Sequence, residues 1–354
     1  MTLDYTNPLA KTPTRSELRA IELLAEARQK NAEGERPPED WLWDEAWNIA
    51  AEFYKRTQCD GLLLYKALPR ALPFHRCNSY IRLICGSNQS SKSTAAVAEM
   101  TRIARGWHPL YPKRQGIMLC VGLDLDHLAQ NMWAMMTLPG QFEIVPDELT
   151  GQMRAVRPDP LDPAHIDPID LKRKSLWVPA PPLLPQSDWD YKGGVAWEEA
   201  AKGCPRQVNI RSTGWKQLWH PSGGKPRRGI KLHAAWWDEE IANAQWFYET
   251  LPRLLRWKGR AVWSVTPQDD YVEALKLHQR AIGGDPDVDE FPLCVDDNPY
   301  IPDEEKLRLH TMLAALSDAE LRSRYYGEWG ALSRRIYPSF DISRLGVDGF
   351  SQAT

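Results

Sequence analysis

The sequence has no apolar run near the ~20 residues that a membrane-spanning helix needs, so no transmembrane segment is predicted. Its opening stretch, MTLDYTNPLAKTPTRSELRA, is polar and lacks the apolar centre of a secretory signal, which predicts a cytosolic protein. Cysteine is scarce. Six residues (Cys59, Cys77, Cys85, Cys120, Cys204 and Cys294) are scattered with no close pair, which argues against a disulfide framework or a zinc site and for reduced thiols. The eight histidines show no metal-ligand spacing. Neither sign of charge is in excess: 44 Lys and Arg face 47 Asp and Glu. That balance excludes a uniformly basic nucleic-acid coat, though not a local basic patch. Internal repeats and low-complexity tracts are also missing, which excludes solenoid arrays and long disordered linkers.

What is present is globular. Hydrophobic residues make up 43% and charged residues 26%, and 354 residues suffice for two domains or one large α/β domain with attachments. Tryptophan is abundant, 16 in all, and serves either core packing or stacking on a base. Leu18, Ile21, Leu23 and Leu24 have helical spacing within residues 15 to 32, and Trp41 to Phe53 reads as a second helix. Residues 1–70 are therefore expected to be a helical N-terminal region.

From Tyr80 the pattern changes. Tyr80 to Cys85 is a strand signal, followed by the turn-rich GSNQSSKST and an alanine-rich helix. Gln115 to Gly122 is a second buried strand, and Asp126 to Met136 reads as helical. Lys231 to Trp237 is a strand ending in Asp238, Glu239 and Glu240, with a helix through Gln245 to Leu255 behind it. Gly259 to Val265 is a further strand, ending in Thr266 and Pro267. Alternating strands and helices predict an α/β fold with a mostly parallel sheet flanked by helices. Residues 139–207, rich in Pro and Gly, read as an insertion with short β pieces in SLWVPA and QVNIRST. The expected core is 71–269, followed by a helical lid or linker subdomain at 270–330. Within that last stretch GGDPDVDE reads as an exposed loop, and residues 331–354 begin a further unit.

The segment Gly86, Ser87, Asn88, Gln89, Ser90, Ser91, Lys92, Ser93 and Thr94 has the parts of a phosphate-binding loop of the Walker A kind. Small residues let successive amides point at β- and γ-phosphates, Lys92 reaches their oxygens, and the Ser93 hydroxyl suits Mg²⁺. The standard pattern has Gly before the Lys, where this chain has Ser91. The carboxylates that end LHAAWWDEE lie where an open α/β sheet binds ligands. Asp238 is the candidate to hold Mg²⁺ through water, and Glu239 the candidate to polarise the attacking water, with Glu240 open one residue on. A charged first turn of helix explains the same residues without chemistry. Thr266, with Ser264, sits at the next strand end, placed to sense a γ-phosphate or merely to turn the chain. Arg228, or Arg227, in GGKPRRGIK is a candidate to neutralise the transferred phosphoryl, and a solvated basic turn is the alternative. PRLLRWKGR holds Arg253, Arg256, Lys258 and Arg260 around Trp257, as a solvated helix face or a contact for DNA phosphates. His75 stands either near a nucleotide base or in local packing.

Taken in order, these pieces resemble the large terminase subunit of tailed phages. The resemblance rests on FHRCNSYIRLICGSNQSSKST, RRG before WWDEE, SVTP, DDNPYIP, LRSRYYGEWG and RRIYPSFD, and covers most of residues 72 to 341. It implies a P-loop NTPase fold of the additional-strand, catalytic-glutamate class, followed in the family by a lid or linker subdomain and a nuclease domain. By position it gives Lys92 and Ser93 the phosphate and Mg²⁺ roles, Asp238 the metal, Glu239 the catalytic glutamate, Thr266 the coupling role and Arg228 an action across a subunit boundary. It implies ATP and Mg²⁺ as cofactors, and double-stranded DNA gripped by its backbone. The implied protein partners are a portal protein, a small terminase subunit and further copies in a homo-oligomeric ring. The implied place is the host cytoplasm, docked transiently on the procapsid. Two departures stand out. Many members carry an Arg within the loop, where this chain has Ser87, Asn88 and Gln89, which shifts the expectation to an arginine in trans. Asp341 and Asp348 do not make a two-metal nuclease site, so no nuclease activity is expected. The other readings are a helicase-like remodelling ATPase and a nucleotide-binding assembly module with little activity alone.

Overall fold

A computed structural model describes residues 60–190, 204–226, 229–268 and 271–330. The predicted helices before residue 60, Arg227 and Arg228, and the segment from residue 331 lie outside the described residues.

Eleven strands are described: β1 (Ile81–Gly86), β2 (Ile117–Gly122), β3 (Glu143–Pro146), β4 (Met153–Ala155), β5 (Val178–Pro179), β6 (Trp189–Asp190), β7 (Gln207–Ile210), β8 (Lys216–Pro221), β9 (Ala234–Asp238), β10 (Arg260–Val265) and β11 (Val288–Leu293). Eight form one sheet in the order β11-β1-β10-β9-β2-β8-β7-β6. The run from β11 to β8 is parallel, and β7 and β6 continue it antiparallel. β10 therefore lies between the strand that feeds the phosphate loop and the strand that ends in Asp238. This is the additional strand of the predicted class. A second, three-stranded sheet orders β4-β3-β5 within the insertion.

The principal helices are α1 (Lys92–Ala104), α2 (Gln245–Arg256), α3 (Val272–Ile282) and α4 (Asp303–Leu316). β1 and β9 are buried at every position, because helices cover both faces of the sheet and there is no wet side to alternate with. Ile84 faces a core shared with Ala95, Met100 and Ile103 of α1 and with Met132 and Met136. Leu83 and Cys85 face the other core, with Trp246 and Leu254 of α2 and Leu277 of α3. Trp215, Trp219, Trp236, Trp237, Trp246 and Trp263 are fully buried, so core packing accounts for these six.

Two strands depart from the sequence expectation. GGDPDVDE does not end as an exposed loop: the chain from Val288 enters the sheet as β11, parallel to β1, burying Val288 and Leu293. Its acidic residues and Pro292 suit the edge position it occupies. The region after residue 270 is accordingly not all helical. β8, with Lys216, His220 and Pro221, was likewise not predicted, yet it pairs with β2 over six positions. Through β6 and β7, the end of the predicted insertion joins the main sheet. No described helix is long and apolar enough to cross a membrane, and the five described cysteines are free thiols.

Candidate functional site

β1 ends at Gly86, the chain turns through Ser87–Ser91, and α1 begins at Lys92. A β-carbon on Gly86 would lie 2.4 Å from the Ser90 hydroxyl oxygen, so the turn closes tightly on that residue. Ser90 Oγ donates to the Ser87 carbonyl at 2.8 Å. Ser91 adopts the left-handed conformation, φ 67°, that the usual glycine takes without strain. The first half of the loop is occupied from within. The Ser87 amide donates to the Leu293 carbonyl at 3.1 Å and the Asn88 amide to the Arg324 carbonyl at 3.3 Å. Among the described residues, the amides of Ser91, Lys92 and Ser93 donate to no protein acceptor. As the start of a helix they carry the unsatisfied donors and positive dipole end that bind an anion. Within the predicted cradle of Gly86 to Thr94, the amides of Ser87, Asn88 and Ser90 are thus bonded within the protein, while those of Lys92 and Ser93 stay open.

Three predicted residues meet at the carboxyl edge of the sheet. Lys92 Nζ lies 2.9 Å from Glu239 Oε1 and donates to Thr266 Oγ1 at 2.9 Å. The Thr266 amide donates to Glu239 Oε2 at 2.9 Å, and its hydroxyl reaches Oε1 at 3.1 Å. Glu239 and Thr266 follow the last residues of β9 and β10, Lys92 opens α1 after the loop that leaves β1, and the parallel register brings these ends together. Glu239 has φ 59°, which turns its carboxylate out of line with the strand. That backbone is pinned on both sides: the Glu239 amide donates to the Ser264 carbonyl at 2.7 Å, and Trp263 Nε1 donates to the Glu239 carbonyl at 2.8 Å. Of Glu239 and Glu240, it is Glu239 that meets Lys92.

Asp238, one residue earlier, is 3% exposed. Its carboxylate accepts from the Ser264 hydroxyl, which in turn accepts from Trp236 Nε1 at 2.8 Å, while its other oxygen lies 3.1 Å from His127 Nε2. Burial opposes a charge on His127, but Asp238, helped by Glu239 and Asp124, outweighs it and raises its pKa. The donors fit Mg²⁺. A hydroxyl on Ser93 and a carboxylate on Asp238 are hard oxygens, and a carboxylate already held on both oxygens suits contact through water. Among the described residues no cluster of three His, Cys, Asp or Glu holds a metal by itself, so a cation here would complete its shell from phosphates and water.

Sequence reasoning missed the residues that brace this edge. Asn298 of DDNPYIP donates through Nδ2 to the Gln89 carbonyl at 2.7 Å. Gly327 of GEWG has φ 67° and packs so closely on the loop that a β-carbon would lie 2.7 Å from the Ser87 amide. Both motifs were visible as strings, without a signal of what they touch. Ser323 donates to the Pro267 carbonyl, tying the segment after α4 to the residue that follows Thr266. Beside the loop a cleft of about 540 Å³ is lined by Gln89, Ser91 and Thr94, by Phe142 and Trp177 of the insertion, and by Asn298 and Tyr300. His75 is not at that cleft. It is buried beneath α1 and donates to Glu99, the packing alternative.

The strand order and the phosphate loop at the end of β1 define an α/β P-loop NTPase with the additional strand. Solved structures to which this fold is similar include phage large terminases. One is the large terminase ATPase domain of Thermus phage P74-26, 15% identical at a TM-score of 0.44 over 79% of this chain and 98% of that one. Another is the large terminase of a second, thermophilic bacteriophage, 10% identical at a TM-score of 0.46 over 75% of this chain and 54% of that one. Further crystals of this second protein contain ADP or ATP-gamma-S. The HK97 bacteriophage large terminase is 10% identical at a TM-score of 0.43 over 90% of this chain and 56% of that one. The chain thus spans about half the length of these last two terminases. No protein-family model and no curated protein matches the sequence.

Proposed function

We propose that the chain is the ATP-hydrolysing motor portion of a phage large terminase, which drives double-stranded DNA into a preformed capsid. The observation that carries this reading is the junction of Lys92, Glu239 and Thr266 at one sheet edge. In the structure Lys92 and Glu239 compensate each other's charge. A triphosphate at the start of α1 offers Lys92 a stronger, multiply charged acceptor, and Lys92 turns to it. Glu239 is then free to accept a hydrogen bond from a water and orient it at the γ-phosphorus, taking its proton as the new P–O bond forms and the bond to the β–γ bridging oxygen breaks, so that ADP leaves with that oxygen and its electron pair. Thr266 keeps that carboxylate aimed by its amide and hydroxyl. Ser93 and Asp238 would hold Mg²⁺, which when bound neutralises phosphate charge. The nucleoside would occupy the cleft beside Gln89 and Thr94.

When the γ-phosphate leaves, Lys92 returns to Glu239 and Thr266, and Pro267 carries the change to Ser323 and the lid segment. Arg228, with Arg227 second, supplies positive charge from a neighbouring copy in a homo-oligomeric ring. A portal protein and a small terminase subunit complete the assembly, in the host cytoplasm on the procapsid. Contacts with DNA are to its backbone, because a packaging motor must ignore sequence.

A second reading, an assembly module that hydrolyses poorly alone, is favoured by the occupied Lys92 and by Ser91 in place of glycine. Turnover against protein concentration separates the two. The motor reading predicts a rate that rises faster than linearly, abolished by Lys92→Ala at every concentration. A linear, negligible rate supports the module. Strand separation on a tailed duplex would instead indicate a helicase.

A further inference from the structure

We propose that the amino edge of the central sheet, opposite the nucleotide site, is a docking surface for the phosphate backbone of duplex DNA. The motor reading supplies only the choice of duplex DNA as the polymer. The surface itself follows from strand register and charge.

Parallel strands all begin at one edge. Arg260 is in register with Ala234, Ala234 with Met118, and Ile117 with Lys216, so the starts of β10, β9, β2 and β8 form one row. Six exposed cations stand on that row or just before it: Arg256 and Lys258 ahead of β10, Lys231 ahead of β9, Lys113 and Arg114 ahead of β2, and Lys216 at the start of β8. Arg260, half-buried, anchors the row by donating to the carbonyls of Asn78 and Lys258. Nearby ion pairs, Arg253 with Glu249 and Arg211 with Asp190, leave these six out. Among the described residues none of the six pairs with a carboxylate.

Two of the cations are held in place. Lys231 Nζ lies 4.6 Å from the centre of the Trp257 ring, and the Arg256 guanidinium carbon 5.9 Å from it. Trp257 is 37% exposed and leans on the His233 ring, so it is a fixed platform for both heads. The same edge changes sign at its far end. Asp285, Asp287 and Asp289 lie at or just before the start of β11, where Asp289 accepts from Cys77 and Ser79. A polyanion is repelled there and drawn to the β10–β8 side. Four strands at ~4.8 Å spacing span about 14 Å, a length over which a duplex carries about eight phosphates. Lysine and arginine heads on a sheet edge suit phosphates; of the six only Arg256 belongs to a principal helix, as the last residue of α2, and a helix end does not enter a groove to read bases as a recognition helix does.

The placement also links the two sites. β9 begins just after Lys231 and ends at Asp238, and β10 begins just after Lys258 and ends one residue before Thr266. The same two strands therefore run from the basic edge to the catalytic edge, roughly 17–20 Å away at ~3.3 Å per residue. Substitutions at the basic edge touch none of the groups assigned to ATP.

The test is fluorescence anisotropy of a labelled duplex of mixed sequence, titrated with this chain over a range of salt concentrations. The wild type is compared with Lys231→Gln/Arg256→Gln/Lys258→Gln and with Lys113→Gln/Arg114→Gln/Lys216→Gln. Each triple is expected to reduce the slope of log K against log salt by about 2.7, which is roughly a few-hundred-fold in affinity near 0.1 M salt. ATP affinity, DNA-independent turnover and melting temperature should stay at wild-type values. Lys172→Gln/Arg308→Gln/Arg322→Gln, which removes three exposed cations elsewhere, should leave the slope unchanged. The proposal is overturned if the wild type does not bind duplex, if all three triples lose the same amount, or if poly-glutamate of equal charge displaces the duplex as well as unlabelled duplex does. Loss of turnover with normal duplex binding would fail the motor reading alone. Normal turnover without duplex binding would fail this surface alone.

Discussion

Ser91 should become more stable when it is replaced by glycine. It caps α1 in the left-handed region, at φ 67° and ψ 15°, and its hydroxyl makes no capping hydrogen bond. A residue with a β-carbon pays about 1–2 kcal/mol for that conformation. Glycine removes the penalty but gives up about 0.5–1 kcal/mol of additional chain entropy on folding. The difference leaves Ser91→Gly roughly 0.5–1 kcal/mol more stable than the wild type. Ser91→Ala keeps the β-carbon and should be near neutral, while Ser91→Val adds a branched side chain and should be the worst of the set. Urea unfolding reads this directly, as a higher midpoint at an unchanged slope. Nucleotide affinity should not fall, because glycine holds the same backbone. If Ser91→Gly is destabilised, or Ser91→Val is tolerated, the loop does not take the left-handed turn that gives the amides of Lys92 and Ser93 their direction.

The buried cluster beneath the loop helix offers a second perturbation. Glu99 accepts from Arg82 at 2.6 Å and from His75 at 3.1 Å, and lies 3.0 Å from His108, so Glu99→Gln leaves the Arg82 charge buried and unpaired. The expected loss is about 3–5 kcal/mol of unfolding free energy, measured in urea. The same cluster sets a pH dependence. Burial lowers the pKa of His75 and His108, and although burial opposes a charge on Glu99, Arg82 and its other partners hold it well below its usual value. The stability that this cluster contributes should be complete above 6.5, the ordinary histidine value, and fall with acid as the unfolded chain takes up protons that the folded cluster resists. Unfolding midpoints from neutral to mildly acidic pH check the sign. Gly327→Ala places a β-carbon 2.5 Å from the Leu293 carbonyl oxygen and 2.7 Å from the Ser87 amide at a positive φ. It should weaken ATP binding at least about tenfold, a cost of ~1.4 kcal/mol, and lower the unfolding midpoint.

The parts of the site that lie within one stretch of chain were readable in the sequence. A strand that is apolar but for Arg82, running into small polar residues and then an alanine-rich helix, marks β1, the loop and α1. Strands that stop at Asp238 and just before Thr266 mark the carboxyl edge at which these residues lie. Contacts between those stretches were not readable, because sheet register sets them. Lys92 is 147 positions from Glu239 (239 − 92) and meets it only because β10 sits between β1 and β9. The one-residue ambiguity between Glu239 and Glu240 needed the backbone, since it is the positive φ of Glu239 that turns its carboxylate inward. His127 behind Asp238, and Asn298 and Gly327 over the loop, come from distant segments whose local patterns announce only helix or turn. β8 and β11 were hidden for another reason. Lys216, His220 and Pro221 in one, and Asp289, Glu290 and Pro292 in the other, break the apolar run by which buried strands are recognised.

Glu239→Gln provides the most direct test that this edge hydrolyses ATP with Glu239 as its base. The measurement is ATP affinity by titration together with phosphate release in a single turnover, on the same protein. Glutamine keeps the size and the hydrogen-bonding reach toward Thr266 but does not take a proton, so affinity should stay within a few-fold of wild type while release slows by about 10²–10⁴. Release at the wild-type rate from Glu239→Gln, or a wild-type chain that does not bind ATP, would contradict the account.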